Sequence, residues 1–223
     1  MKAMLSASIM CADPLNMQKE LDFLEMQGID YFHCDVMDGK FVPNLMLSTN
    51  IIRAVKERYR TPLDIHLMVE DPERVLRWLP FGAGDIVSVH YESVTHLDRV
   101  LQTIIGKGAT PVLALNPATP LWCAEYALDR IGALMLMTVN PGYAAQKMVP
   151  YALQKIEDAK EFLTQRGHPE ILVEVDGNCS LENIPKMQRA GADILVVGSS
   201  SIFSKEHGIE KGYEMTMLAC SEK

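Results

Sequence analysis

A chain of 223 residues with 48% hydrophobic and 22% charged side chains is long enough for one sizeable core and ordinary for a globular fold. A net charge of −8 excludes a general nucleic-acid surface, which needs clustered cations to displace counterions, so any anionic ligand has to be met locally. The apolar runs are too short to cross a bilayer, the start lacks a signal-peptide pattern, and five cysteines without C-x-x-C spacing read as reduced thiols; the expectation is a cytoplasmic protein with no membrane partner, one domain over residues 1–223.

In chain order, MLSASI from Met4 reads as a strand and Leu15 to Gln27 as the helix after it. DYFHCDV from Asp30 is followed by a helical pattern over Ser48 to Tyr59, LDIHLMV from Leu63 by Pro72 to Phe81, and DIVSVHY from Asp85 by His96 to Ile105. TPVLALN from Thr110 precedes Pro120 to Leu128, LMLMTVN from Leu134 precedes Pro150 to Gln165, ILVEVDG from Ile171 precedes Leu181 to Ala190, and DILVVGS from Asp193 precedes a last helix from about Ile209. Three returns to a strand echo one another: QGIDYF, FGAGDIV and AGADILV. Eight βα units of about 28 residues predict an α/β fold, a closed parallel (β/α)8 TIM barrel, with an open doubly wound sheet as the alternative. The eight strand ends carry Ser8, Asp35, His66, His90, Asn116, Asn140, Asp176 and Ser199, a ring of polar groups where barrel chemistry sits.

Strand alternation puts His33 in phase with Asp35, His66 with Asp64, and Asp176 with Glu174, all opposite to apolar neighbours that face the helices. Taken singly, each reads as a satisfied polar core group. Together His33, Asp35, His66 and Asp176 make an imidazole and carboxylate set suited to one divalent cation, zinc, iron, manganese or cobalt, with magnesium also admitted. The loops DGNCS after Asp176, GSSSIF from Gly198 and NPGYAAQ around Gly142 offer small residues where barrels of this kind hold phosphate. Met10, Met37, Met68 and Met137 fall in phase with the inward residues, as core filler or as a low-polarity wall. No strand ends in lysine, which argues against a Schiff base, and the D-x-K-x-x-D and G-x-G-x-x-G patterns are absent.

Through SIMCAD, HCDVMDGKFVPN, IHLMV, LNPATP, MTVNPGYAAQ, EVDGNC and VGSSSIF, in that order, the chain resembles the ribulose-phosphate 3-epimerase family from end to end. The resemblance implies inversion of carbon 3 of a ketose phosphate, ribulose 5-phosphate to xylulose 5-phosphate in the reference reaction. It implies His33, Asp35, His66 and Asp176 as metal ligands, and Asp35 and Asp176 as the two acid/base residues working through a cis-enediolate. It implies Ser8, His66, Gly142, Tyr143, Ala144, Ala145, Asp176, Gly177, Asn178, Gly198 and Ser199 as substrate contacts, Met37, Met68 and Met137 as the site wall, and a homo-oligomer, dimer or hexamer. Ribulose-phosphate enzymes typically carry G-F-G-G-Q and D-G-G where this chain has GYAAQ and DGNC. SIMC, LMLS after Asn44 and DGNC are similar to the allulose 6-phosphate 3-epimerase branch, so the substrate is a five- or six-carbon ketose phosphate. The rival readings are a metal-assisted aldolase or decarboxylase and a non-catalytic sugar-phosphate-binding barrel.

Overall fold

The computed structural model describes residues 3–221. Eight parallel strands make the barrel: β1 (Met4–Ser8), β2 (Tyr31–Asp38), β4 (Leu63–Met68), β5 (Ile86–His90), β6 (Thr110–Leu115), β7 (Ala133–Met137), β8 (Leu172–Asp176) and β9 (Ile194–Val197). A short β3 (Leu45–Met46) pairs antiparallel with the end of β2 and lifts that strand above the rim. Because β1 pairs with both β2 and β9, the sheet has no free edge among the barrel strands. The fold is thus the closed (β/α)8 TIM barrel, and the open sheet is excluded.

Alternation governs the strands. In β4, Leu63, Ile65 and Leu67 are fully buried against the helical layer, each contributing about 1.5–3 kcal/mol by leaving water. Asp64 and His66 point to the barrel axis instead and are equally buried. The interior is lopsided: Ile86, Val112, Ala114, Ala133, Met135, Met137 and Ile194 make one apolar cluster. Ser6, Ser8, His33, Asp35, Asp64, His66 and Glu174 are buried on β1, β2, β4 and β8.

The three echoed returns share one device. Asp30, Asp85 and Asp193 each stand just before a strand, and each accepts an amide at the start of the strand beside it: Leu5 of β1, Leu63 of β4 and Val173 of β8, all at 2.8 Å. A donor that the sheet edge leaves unpaired at the bottom of the barrel is thereby satisfied. Lys56 and Lys160 pair with Asp85 and Asp193 at 2.7 and 2.9 Å.

The helical layer holds α1 (Met17–Met26), α2 (Thr49–Arg58), α3 (Pro72–Val75), α4 (Leu97–Gly106), α5 (Ala152–Gln165), α6 (Ile184–Ala190) and α7 (Gly208–Ala219). Ser48 caps α2 by accepting the Ile51 amide, and Asp71 caps α3 with Pro72 in its first turn. Three segments depart from expectation. The stretch expected to be helical over Pro72 to Phe81 closes its α-helix at Val75 and tightens to i to i+3 bonds at Arg77 and Trp78, because Pro80 cannot continue it. Leu121–Arg130 is a 3-10 helix and not an α-helix, with Ala124, Ala127 and Leu128 buried in the core. Pro185 delays α6, leaving Leu181 to Asn183 as a turn.

Candidate active site

At the C-terminal rim, four side chains from three strands converge: His33 and Asp35 of β2, His66 of β4 and Asp176 of β8 each place one ligand atom within 4.8 Å of all the others. His33 Nε2 lies 3.2 Å from Asp35 Oδ1 and 4.0 Å from Asp176 Oδ2; His66 Nδ1 lies 3.4 and 3.3 Å from the same two oxygens. Bonds of about 2.1 Å to a tetrahedral cation place ligands about 3.4 Å apart, so these separations match the edges of a coordination shell. His66 Nδ1 is buried and has no hydrogen-bond partner, as a lone pair kept for a cation should be. The residues fit a divalent metal.

Three of the four side chains are held from behind. His33 turns Nδ1 to Asp64 Oδ2 at 2.5 Å, and Ser6 donates to that same oxygen at 2.7 Å. Ser8 donates to Asp35 Oδ2 at 2.9 Å, leaving Oδ1 for the cluster. His66 sets Nε2 2.9 Å from His90 Nε2. Such outer contacts orient ligands and strengthen their basicity.

The electrostatics follow from burial against charge. Burial alone would lower His33, but Asp64 and Asp35 outweigh it and push it well above the usual histidine range. Burial would raise Asp35, yet His33 and then His66 hold it well below the usual carboxylate range. Glu174 goes the other way: burial and the neighbouring Asp64 charge push it well above the ordinary value. Asp64 Oδ1 and both Glu174 oxygens are buried without a hydrogen-bond partner, and the raised Glu174 value disfavours a second negative charge beside Asp64. Asp64, Glu174, Ser6 and His90 are buried in this network with no role assigned from sequence; the alternation that turned His66 and Asp176 inward was the available signal for Asp64 and Glu174.

Above the cluster lies a cavity of about 70 Å³. Ser8, Gly142, Tyr143, Ala144 and Ala145 line it, as do Asp176, Gly177, Asn178, Gly198 and Ser199. Met37, Met68 and Met137 form its apolar side with Met10. His66, expected also as a substrate contact, is fully buried and does not line the cavity. Among the described residues, no lysine or arginine lines it either. What it offers an anion is backbone: among the described residues the amides of Asn178, Gly198 and Ser200 have no acceptor. Gly177 has φ of 115°, and a Cβ there would fall 2.6 Å from Val139 Cγ2, so only glycine fits. Ala145 and Asn178 stand at φ of 61° and 48°, so the loops keep a left-handed backbone without glycine at those two positions.

A strap crosses the mouth. Asn44 donates to the Gly142 carbonyl at 2.9 Å and Tyr143 donates to the Pro43 carbonyl at 2.5 Å, joining the loop after β2 to the loop after β7. Asn178 donates to the Gln146 carbonyl at 2.7 Å and ties in the loop after β8.

A closed eight-stranded barrel with acid, base and ligand groups at its C-terminal rim defines a TIM-barrel enzyme site. Barrels of known structure share this fold: orotidine 5'-phosphate decarboxylase from Pyrococcus horikoshii OT3 superposes with a TM-score of 0.67 at 14% identity, over 96% of this chain and 97% of that one. 3-Hexulose-6-phosphate synthase does so with a TM-score of 0.62 at 15% identity, over 97% and 99%. Sequence goes further. The ribulose-phosphate 3-epimerase family model matches residues 4–203. The ribulose-phosphate 3-epimerase of Bacillus subtilis (strain 168) is 39% identical over 196 residues, 88% of this chain and 90% of that protein. That of Methanocaldococcus jannaschii is 38% identical over 202 residues, 91% and 85%, and the chloroplastic ribulose-5-phosphate-3-epimerase of Arabidopsis thaliana is 39% identical over 207 residues, 91% and 73%. The chain belongs to the ribulose-phosphate 3-epimerase family, and so to the isomerases. Among the described residues, no helix is long and apolar enough to cross a membrane.

Proposed function

We propose that this protein inverts carbon 3 of a ketose phosphate by two-base proton transfer. The observation that carries this reading is the pair Asp35 and Asp176, from strands separated by β1 and β9, whose carboxylates approach one point, His66 Nδ1, at 3.4 and 3.3 Å. One carboxylate removes the proton alpha to the carbonyl on one face, and the other, entering as the acid, returns a proton on the opposite face of the planar cis-enediolate. Which one begins as base alternates with direction, and the two titrations are linked. Ser8 fixes the Asp35 carboxylate in place for that transfer. The loops around Gly142, Gly177 and Gly198 hold the phosphate through amides, and the methionines exclude water beside the reacting carbon. His33, Asp35, His66 and Asp176 would hold a divalent cation, which as a Lewis acid offsets the enediolate charge.

Ribulose 5-phosphate is the first proposed substrate, on the names of the curated relatives. A six-carbon ketose phosphate is the second reading, favoured by Ala145 and Asn178 standing where pentose-phosphate enzymes typically carry glycine. Comparing kcat/KM on ribulose 5-phosphate and allulose 6-phosphate separates them. Solvent deuterium should enter carbon 3 during turnover; turnover without exchange, or appearance of cleavage products, refutes epimerisation by this route. Stripping the metal should abolish turnover, and full activity in verified metal-free protein removes the cation from the account. Cys11, Cys34, Cys123 and Cys179 form no disulfide, which suits the proposed cytoplasmic location, checked by cell fractionation.

A further inference from the structure

Glu92, His90 and His66 form a line from the barrel rim to the four-residue cluster. Glu92 Oε1 accepts the Asn116 amide at 2.8 Å and the Thr119 hydroxyl, while Oε2 stands 3.2 Å from His90 Nδ1. His90 Nε2 stands 2.9 Å from His66 Nε2, with the two rings stacked at a centroid distance of 5.0 Å. Phe41 packs on His90 at 4.8 Å, and both histidines are fully buried.

Proton accounting along this line has one solution compatible with a cation at His66. A metal takes an imidazole lone pair, so a ligating His66 with Nδ1 toward Asp35 and Asp176 carries its proton on Nε2. That proton is buried and needs an acceptor; His90 Nε2 is the atom within reach. His90 Nε2 is a lone pair only when the His90 proton sits on Nδ1. Glu92 supplies the acceptor for it, with Oε1 already occupied by two fixed donors and Oε2 aimed at His90. His33 reaches the same end directly, through Asp64. His66 does so through a second imidazole.

We infer that His90 and Glu92 are positioning residues that lock His66 in the Nε2–H tautomer, so that it ligates a divalent cation through Nδ1 and not through Nε2. The inference rests on reading the cluster as a metal site, and its test keeps the two apart. Zn²⁺ affinity is measured by competition with a chromogenic chelator on metal-stripped wild type, His90→Leu, His90→Gln and Glu92→Gln. His90→Leu removes the acceptor and should weaken Zn²⁺ binding by about 10–100-fold. Glu92→Gln, whose amide can donate toward His90, should weaken it by about 10-fold. His90→Gln, whose amide oxygen can accept the same N–H, should recover much of the loss, which a merely space-filling His90 does not predict. In ¹⁵N spectra of the Zn²⁺-loaded wild type, His66 should be protonated on Nε2 and His90 on Nδ1. Affinities of His90→Leu and Glu92→Gln within twofold of wild type, or a His66 proton on Nδ1 in the loaded protein, overturn the relay while leaving the metal site standing. Absence of any Zn²⁺ binding by wild type removes the site and the relay together. Where His90→Leu does not fold, Glu92→Gln decides, since that side chain is 23% exposed at the rim.

Discussion

Asp35 and Asp176 differ in how they are held, and the difference bears on what substitution does. Asp35 is fixed by Ser8, whereas Asp176 meets only the two histidines and is 16% exposed at the side chain. Asp35→Asn and Asp176→Asn keep shape and remove the base, so each should lower kcat by at least 10³-fold, about the scale of a lost general base, with the circular dichroism spectrum unchanged. Near-normal turnover in either variant rules out the two-base route. Glu92 adds a pH effect. Burial opposes its ionisation, but bonds from His90, Thr119 and the Asn116 amide outweigh this and hold it at about 2, below its ordinary value of 4.5. Its contribution to stability is therefore complete above about pH 4.5 and lost as pH falls through 2. The urea midpoint of Glu92→Gln should trail wild type more at pH 6 than at pH 2.5, and an equal gap at both removes this linkage. At this scale the alternation of β2, β4 and β8 made His33, Asp35, His66 and Asp176 legible in the sequence. It also turned Asp64 and Glu174 inward. Their proximity was not legible, because barrel closure alone brings residues 64 and 174 together.

Between elements, the aspartates that begin three strands carry more than a turn signal. Asp85 is fully buried and accepts from Leu63, Gly82 and Lys56. Asp85→Ala leaves buried donors without an acceptor and should cost about 1–3 kcal/mol or more in urea unfolding. A loss under 0.5 kcal/mol would falsify the capping role. The strap is the opposite case, built with strain. Ala145 at φ of 61° bears the side-chain penalty of a left-handed backbone, so Ala145→Gly should stabilise by about 0.5–1 kcal/mol after the added unfolded-state freedom is counted. Destabilisation there would mean the Ala145 methyl makes a packing contact worth more than the strain. The echo QGIDYF, FGAGDIV and AGADILV was legible as a repeat, but its cause, an amide on the preceding strand, lies about 20–25 residues away in sequence. Leu121–Arg130 misled for a related reason: its composition favours an α-helix, and the spacing of its buried Ala124, Ala127 and Leu128 does not distinguish the tighter turn from one.

For the whole molecule, eight βα units and a ring of polar strand ends were enough to read a closed barrel, because closure is the arrangement that brings every strand end to one mouth. The lopsided interior was not readable in the same way, since each strand alone shows only alternation. Among the described residues the mouth holds no lysine or arginine, and the molecule around it carries a net charge of −8. On the proposed reading, an incoming phosphate dianion would approach against the long-range field and be caught at the end by short-range amide dipoles. Ions in solution damp the first effect and barely touch the second. Raising NaCl from about 10 to about 150 mM, which shortens the Debye length from about 30 to about 8 Å, should leave kcat/KM flat or raise it. A steep fall would mean that a cationic side chain steers the substrate in. With such a cradle, turnover is set to be steady across ionic strengths where a lysine-lined phosphate site would weaken.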